Sequence, residues 1–107
     1  MTPSLQSDLN RVVKRLVAYY HPEQIILFGS LASGKSGRWS DIDLAVITKT
    51  RRRFIDRLKD ALLAAQPKEA LDILVYTPQE VESMQIHQNR FWLHEIKEKG
   101  RIVYQRA

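Results

Sequence analysis

Two aspartates separated by one residue, Asp41-Ile42-Asp43, follow a Gly29-Ser30 corner with ten residues between. Successive side chains on a strand alternate faces, so Asp41 and Asp43 point the same way while Ile42 points into a core. Two like charges side by side repel unless a cation sits between them. Hard divalent ions such as Mg²⁺ take oxygen ligands from one or two carboxylates and let substrate phosphates complete the shell. The intervening residues include Gly34, Gly37 and several serines, whose backbone N–H groups and hydroxyls suit a phosphate cradle. Metal plus polyphosphate is the chemistry this spacing serves. A strand–turn–strand with two solvent-facing aspartates accounts for each residue singly, but not for their occurring together.

A third acid stands inside an apolar run. Asp72 is flanked by Leu71, Ile73, Leu74 and Val75. An isolated buried carboxylate is costly, so such a residue is expected to meet a cation or a metal, unless it lies at a strand end facing water. In the loop, Lys35 and Arg38 are within reach of a triphosphate, and Ser40 is placed to orient the acid strand or donate to phosphate. Trp39 suits stacking on a base or packing at the loop root.

With Gly29, Ser30, Gly34, Ser40, Asp41, Asp43 and Leu44 in this order, the chain resembles the nucleotidyltransferase superfamily of DNA polymerase beta. Its short length and its end at Gly100, Arg101, Ile102, Val103 and Tyr104 resemble the minimal nucleotidyltransferase (MNT) branch. Many members of that branch are antitoxins of HEPN/MNT toxin–antitoxin pairs, the MntA type. The resemblance implies an α/β (α+β) domain spanning residues 1–107, a small mixed β-sheet flanked by helices. It also makes Asp72 the match for the superfamily's third carboxylate. Asp41, Asp43 and Asp72 would then be catalytic and metal-binding, with two Mg²⁺ ions roughly 4 Å apart clamping an in-line displacement. Gly29, Ser30, Ser40, Lys35 and Arg38 would bind the nucleotide. The implied reaction moves AMP from ATP to a tyrosine of a cognate HEPN toxin, within a hetero-oligomer. The alternative is an antitoxin without catalysis that binds and masks its toxin.

The elements that must position these groups follow from periodicity. Leu5, Leu9, Val12, Val13, Leu16, Val17 and Tyr20 recur at helical spacing and stop near His21-Pro22. Residues 24–29 read as a buried strand, with a turn or short helix from Ser30, and residues 41–47 as the acid-bearing strand. Thr50 is expected to cap a helix whose inner face is Phe54, Leu58, Ala61, Leu62 and Ala65, with Pro67 at its exit. Residues 70–76 form a third strand. Thr77-Pro78-Gln79-Glu80 is a capping box with proline at the first helical position. Helix then continues to Lys99 with a break near Gln88-Asn89, and residues 101–105 form a last strand.

A chain of 107 residues supports one core. Its 44% hydrophobic and 27% charged content is ordinary for a globular domain. No apolar stretch approaches the roughly 20 residues of a membrane span. Cysteine is absent, which excludes disulfides and thiolate metal sites and fits a cytoplasmic protein. The net charge of +5 suits nucleotides, nucleic acid or an acidic partner alike. Arg51, Arg52 and Arg53 would oppose the dipole of the helix that Thr50 begins, an effect partly offset by an Arg52–Asp56 pair. No aromatic residues interleave with them as single-strand platforms require, so nucleic acid is not the expected partner. His87 and His94 lack the companions a metal site needs. Of Phe91 and Trp92, adjacent on a helix and about 100° apart, one is expected near the surface.

Overall fold

The computed structural model describes residues 1–34 and 41–107. Its first helix, α1 (Pro3–Tyr20), begins where Thr2 Oγ1 accepts from Leu5 N at 3.2 Å and Pro3 presets the first turn. Leu5, Leu9, Val12 and Leu16 line one side and are buried, and the helix ends at His21 in the left-handed conformation before Pro22. The chain then forms β1 (Gln24–Phe28), the single turn α2 (Gly29–Ala32), β2 (Ile42–Ile47), α3 (Phe54–Ala65), β3 (Leu71–Tyr76), α4 (Pro78–Ile86), α5 (Phe91–Glu98) and β4 (Arg101–Gln105).

The strands form one mixed sheet in the order β3-β2-β1-β4. β1 is antiparallel to β2 and to β4, whereas β2 and β3 are parallel, joined through the α3 crossover. Alternation divides the core in two. Ile25, Leu27, Ile42, Leu44, Val46, Ile73 and Val75 face α1 and α3. Ile26, Phe28, Ala45 and Ile47 face the other way, against Trp92 and Ile96. Of the expected pair, Trp92 is the buried ring and Phe91 remains 45% exposed.

Three expectations about α3 are overturned: its start at Thr50, the Arg52–Asp56 pair, and the inward place of Phe54 and Leu58. The helix starts at Phe54 with Arg53 as its cap residue, not at Thr50, whose hydroxyl instead accepts from Arg52 N at 3.1 Å. The arginine run therefore precedes the helix, and Arg52 pairs with Asp60 and Arg53 with Asp56. Phe54 and Leu58, expected inside, are 47% and 44% exposed. The inward place goes to Arg57, which donates to Arg52 O at 2.8 Å, Val75 O at 3.1 Å and Glu80 Oε1 at 2.6 Å. A guanidinium with three of its N–H donors engaged in this way can take an inner place in lieu of an apolar side chain. Glu80 also closes the capping box of α4 on Thr77 N.

After Ile86 the helix breaks, with Gln88 left-handed at φ 53, and α5 resumes as a π-helix whose wider turn sends Trp92 and Ile96 onto the sheet. Gly100 then has to be glycine, since a Cβ there would collide with Ile96 O and the Ile26 side chain.

One buried acid ties the helices to the start of β3. Asp8 accepts from Arg11 Nη2 at 2.6 Å, Glu69 N at 2.8 Å and Lys68 N at 3.0 Å, while Arg11 and Arg15 donate to carbonyls at the end of α3. Burial pushes the Asp8 carboxyl up, but the Glu69 amide, the Arg11 guanidinium and the Lys68 amide outweigh it and hold it below the ordinary value. A depressed folded pKa contributes stability above the unfolded pKa of 3.8 that is lost as pH falls through the folded value. Asp8→Asn should therefore cost about 1–3 kcal/mol at neutral pH in urea unfolding. The variant should also lose less stability on acidification than the parent protein does.

Candidate active site

β1 is buried to its last residue, Phe28, and the chain then turns sharply at Gly29, where φ is +74°. A side chain is excluded there twice over: the backbone is left-handed, and a Cβ would overlap the Asp43 carboxylate. The Gly29 backbone thus lies directly against the acid. Ser30 follows in the first turn of α2, half-buried, and its carbonyl accepts from Ser33 Oγ at 3.1 Å.

The sheet register sets the acids. Asp43 stands opposite Phe28 on one side and Asp72 on the other. All three residues project toward the α4–α5 side, as Ala45 and Ile47 do. Ile42 points the opposite way and is fully buried. Burial, followed by the charge of Asp72, a hydrogen bond with Asp72 and the charge of Asp41, raises the Asp43 carboxyl to about 6.

Asp72 differs in setting from its sequence context. It is exposed, the second residue of an edge strand, so burial cost is not what accounts for it. It nevertheless meets Asp43, because parallel pairing places the two residues side by side. Asp41 precedes β2, is exposed, and acts on Asp43 through its charge. Among the described residues, no three carboxylate or imidazole groups form a ready-made metal cage. The donor set still fits a hard divalent cation: carboxylate oxygens crowd together, and burial with the neighbouring negative charges makes the Asp43 carboxyl hold its proton more tightly than usual. Ser40, Lys35, Arg38 and Trp39 lie outside the described residues.

His87 Nδ1 meets Ser83 O at 2.8 Å and His94 Nδ1 meets Glu98 Oε2 at 2.9 Å, so the two imidazoles are not gathered at one centre. The residue that the sequence left unnoticed is Phe28. Its apolar context marked it as core, and only the register reveals it as the immediate neighbour of Asp43.

A carboxylate pair on adjoining strands of a small mixed sheet, beside a glycine-serine corner, is the arrangement of a nucleotidyltransferase fold. The sequence pattern described as "Polymerase beta, Nucleotidyltransferase" matches residues 10–107, and the chain belongs to that family of enzymes. A Haemophilus influenzae relative named "Probable protein adenylyltransferase MntA" is 28% identical over 98 residues, covering 89% of this chain and 86% of that protein. A crystal structure from Sulfolobus solfataricus, of a candidate nucleotidyltransferase, superposes with a TM-score of 0.61 at 16% identity, covering 99% of this chain and 90% of that one. A toxin–antitoxin crystal structure with AMP-PNP superposes with a TM-score of 0.54 at 21% identity, covering 92% of this chain and 73% of that one. Both structures share the fold.

Asp43 provides a check on the crowding. Its folded pKa of about 6 exceeds the ordinary 3.8, so the folded state binds the proton more tightly and stability declines as pH rises between those values. In chelator-treated protein, Asp43→Asn should remove that decline and raise stability at neutral pH by on the order of 1 kcal/mol. Thermal melts below and above the Asp43 pKa measure both effects.

Proposed function

We propose that this chain transfers AMP from ATP to a hydroxyl of a partner protein, the tyrosine of a cognate HEPN toxin, and so acts as an antitoxin. The observation that carries the reading is the Asp43 carboxylate, paired with Asp72 on one side and lying against the Gly29 backbone. The name of the Haemophilus relative and the nucleotide analogue in the toxin–antitoxin structure support the donor and the acceptor class.

The residues divide the work. Gly29 lets the backbone approach the terminal phosphates, and the Ser30 hydroxyl donates to them. Asp41, Asp43 and Asp72 are the ligands for Mg²⁺, as a two-ion site. The bound ions supply charge neutralisation for the triphosphate and its departing pyrophosphate. Asp43 is held rigidly by two neighbouring strands, so it fixes the centre of the site. Asp72, exposed on the outer strand, accepts the proton of the attacking hydroxyl. Positioning and electrostatics suffice for phosphoryl transfer, which demands little covalent chemistry of the protein.

A masking role is favoured by one feature. The outer side of α3 exposes Ile55 at 73% and Leu63 at 64%, surface that a bound toxin would cover. Chemistry and masking separate in one pair of assays. With α-labelled ATP and co-purified toxin, label should reach a toxin tyrosine and fall by roughly a thousandfold in Asp41→Ala/Asp43→Ala. The same variant should fail to rescue cells from the toxin while still forming the complex. Full rescue by that variant would establish masking instead, and undiminished label would end the catalytic reading.

A further inference from the structure

Next to the carboxylates, on the same side of the sheet, stands an aromatic ring that the core does not account for. Phe28 and Asp43 are cross-strand partners, so their side chains are immediate neighbours. Phe91 packs edge-on against Phe28, with ring centroids 5.7 Å apart and planes at 87°. Phe28 is buried, yet Phe91 remains 45% exposed. Its neighbour Trp92 takes the buried place, seated edge-on against Tyr76 and held through Nε1 by Gln85. Phe91 is therefore surplus to the packing that fixes α5.

Its position is nonetheless fixed. Gln88 adopts a left-handed conformation, Asn89 Oδ1 accepts from Trp92 N at 3.0 Å, and α5 starts at Phe91 in a π-helical winding. Such windings are rare and frequent at functional sites. The effect is to hold a half-exposed ring against Phe28, the cross-strand neighbour of Asp43.

Resting on the nucleotide site proposed above, we propose that Phe91 is the nucleobase platform of the donor pocket. With the polyphosphate at Gly29-Ser30 and the acids, the base has to extend away from Asp43, and among the described residues Phe91 is an exposed aromatic ring one residue removed from that acid, through Phe28. Stacking tolerates any base, because every base has a π-face. The pocket would accordingly grip nucleoside triphosphates more tightly than bare polyphosphate, with little preference among bases arising from this contact.

The test uses the purified chain with Mg²⁺, above the Asp43 pKa, and titrates ATP and inorganic tripolyphosphate separately by calorimetry. Phe91→Ala should weaken ATP binding at least about fivefold and leave tripolyphosphate within about twofold, while Phe91→Tyr keeps both near the parent values. Unchanged ATP affinity in Phe91→Ala would overturn the proposal, as would an equal loss for both ligands, which indicates a merely structural role. If Phe91→Ala binds ATP normally but loses transfer to the toxin, the ring faces the acceptor and the proposal fails. A parent protein that binds tripolyphosphate as well as ATP sinks the platform alone. A parent protein that binds neither sinks the nucleotide site together with it.

Discussion

A repulsion lies at the centre of this fold. Asp43 and Asp72 are paired across two parallel strands, and the Gly29 backbone closes the third side. Left to themselves, two carboxylates would part, and nothing in a short edge strand would prevent it. The surrounding structure prevents it. β2 is buried on both sides along almost its whole length, and β3 is held to it from Leu71 to Tyr76. The start of β3 is tied to α1 by Asp8, and its end is tied to α3 and α4 by Arg57. The unfavourable contact is thus imposed by favourable ones several residues away, and the resulting hunger for positive charge is what a metal–polyphosphate substrate would satisfy.

Much of this was legible in the sequence because it rests on local rules. The stop at His21-Pro22, the Thr77–Glu80 box and the break near Gln88-Asn89 are signals contained within a few residues, and the structure follows them. Strand alternation at Asp41-Ile42-Asp43 likewise foretold that Ile42 enters the core. The sequence misled where a distant partner decides. Arg57 occupies an inner position because the Arg52 carbonyl just before α3, the Val75 carbonyl and the Glu80 carboxylate receive it, and the last two lie 18 and 23 residues away in the sequence. For the same reason Phe54 and Leu58, apolar and well spaced, were read as inner residues and lie half in solvent.

The candidate site shows the same division. The Gly29-Ser30 corner and Asp41-Ile42-Asp43 are compact in sequence and could be recognised as one chemical unit. Asp72 was singled out by its apolar flanks, but its edge-strand exposure makes burial the wrong reason; what matters is its register opposite Asp43. Register was also what hid Phe28, a residue with no polar atom to mark it. Membership of the polymerase beta nucleotidyltransferase family rests on the whole span 10–107, and the sheet geometry explains why such distant segments belong to one pattern.

Arg57 has one more effect, on assembly. Carbonyls along a strand point alternately to its two sides, and the Val75 carbonyl, which Arg57 occupies, faces outward from β3, since Ala70 and Tyr76 carbonyls serve β2. β3 ends the sheet, so its outer rim is where another chain's backbone would add itself. With that acceptor already filled, the rim is blunted at its far end. Open-ended stacking of copies into fibres is disfavoured there.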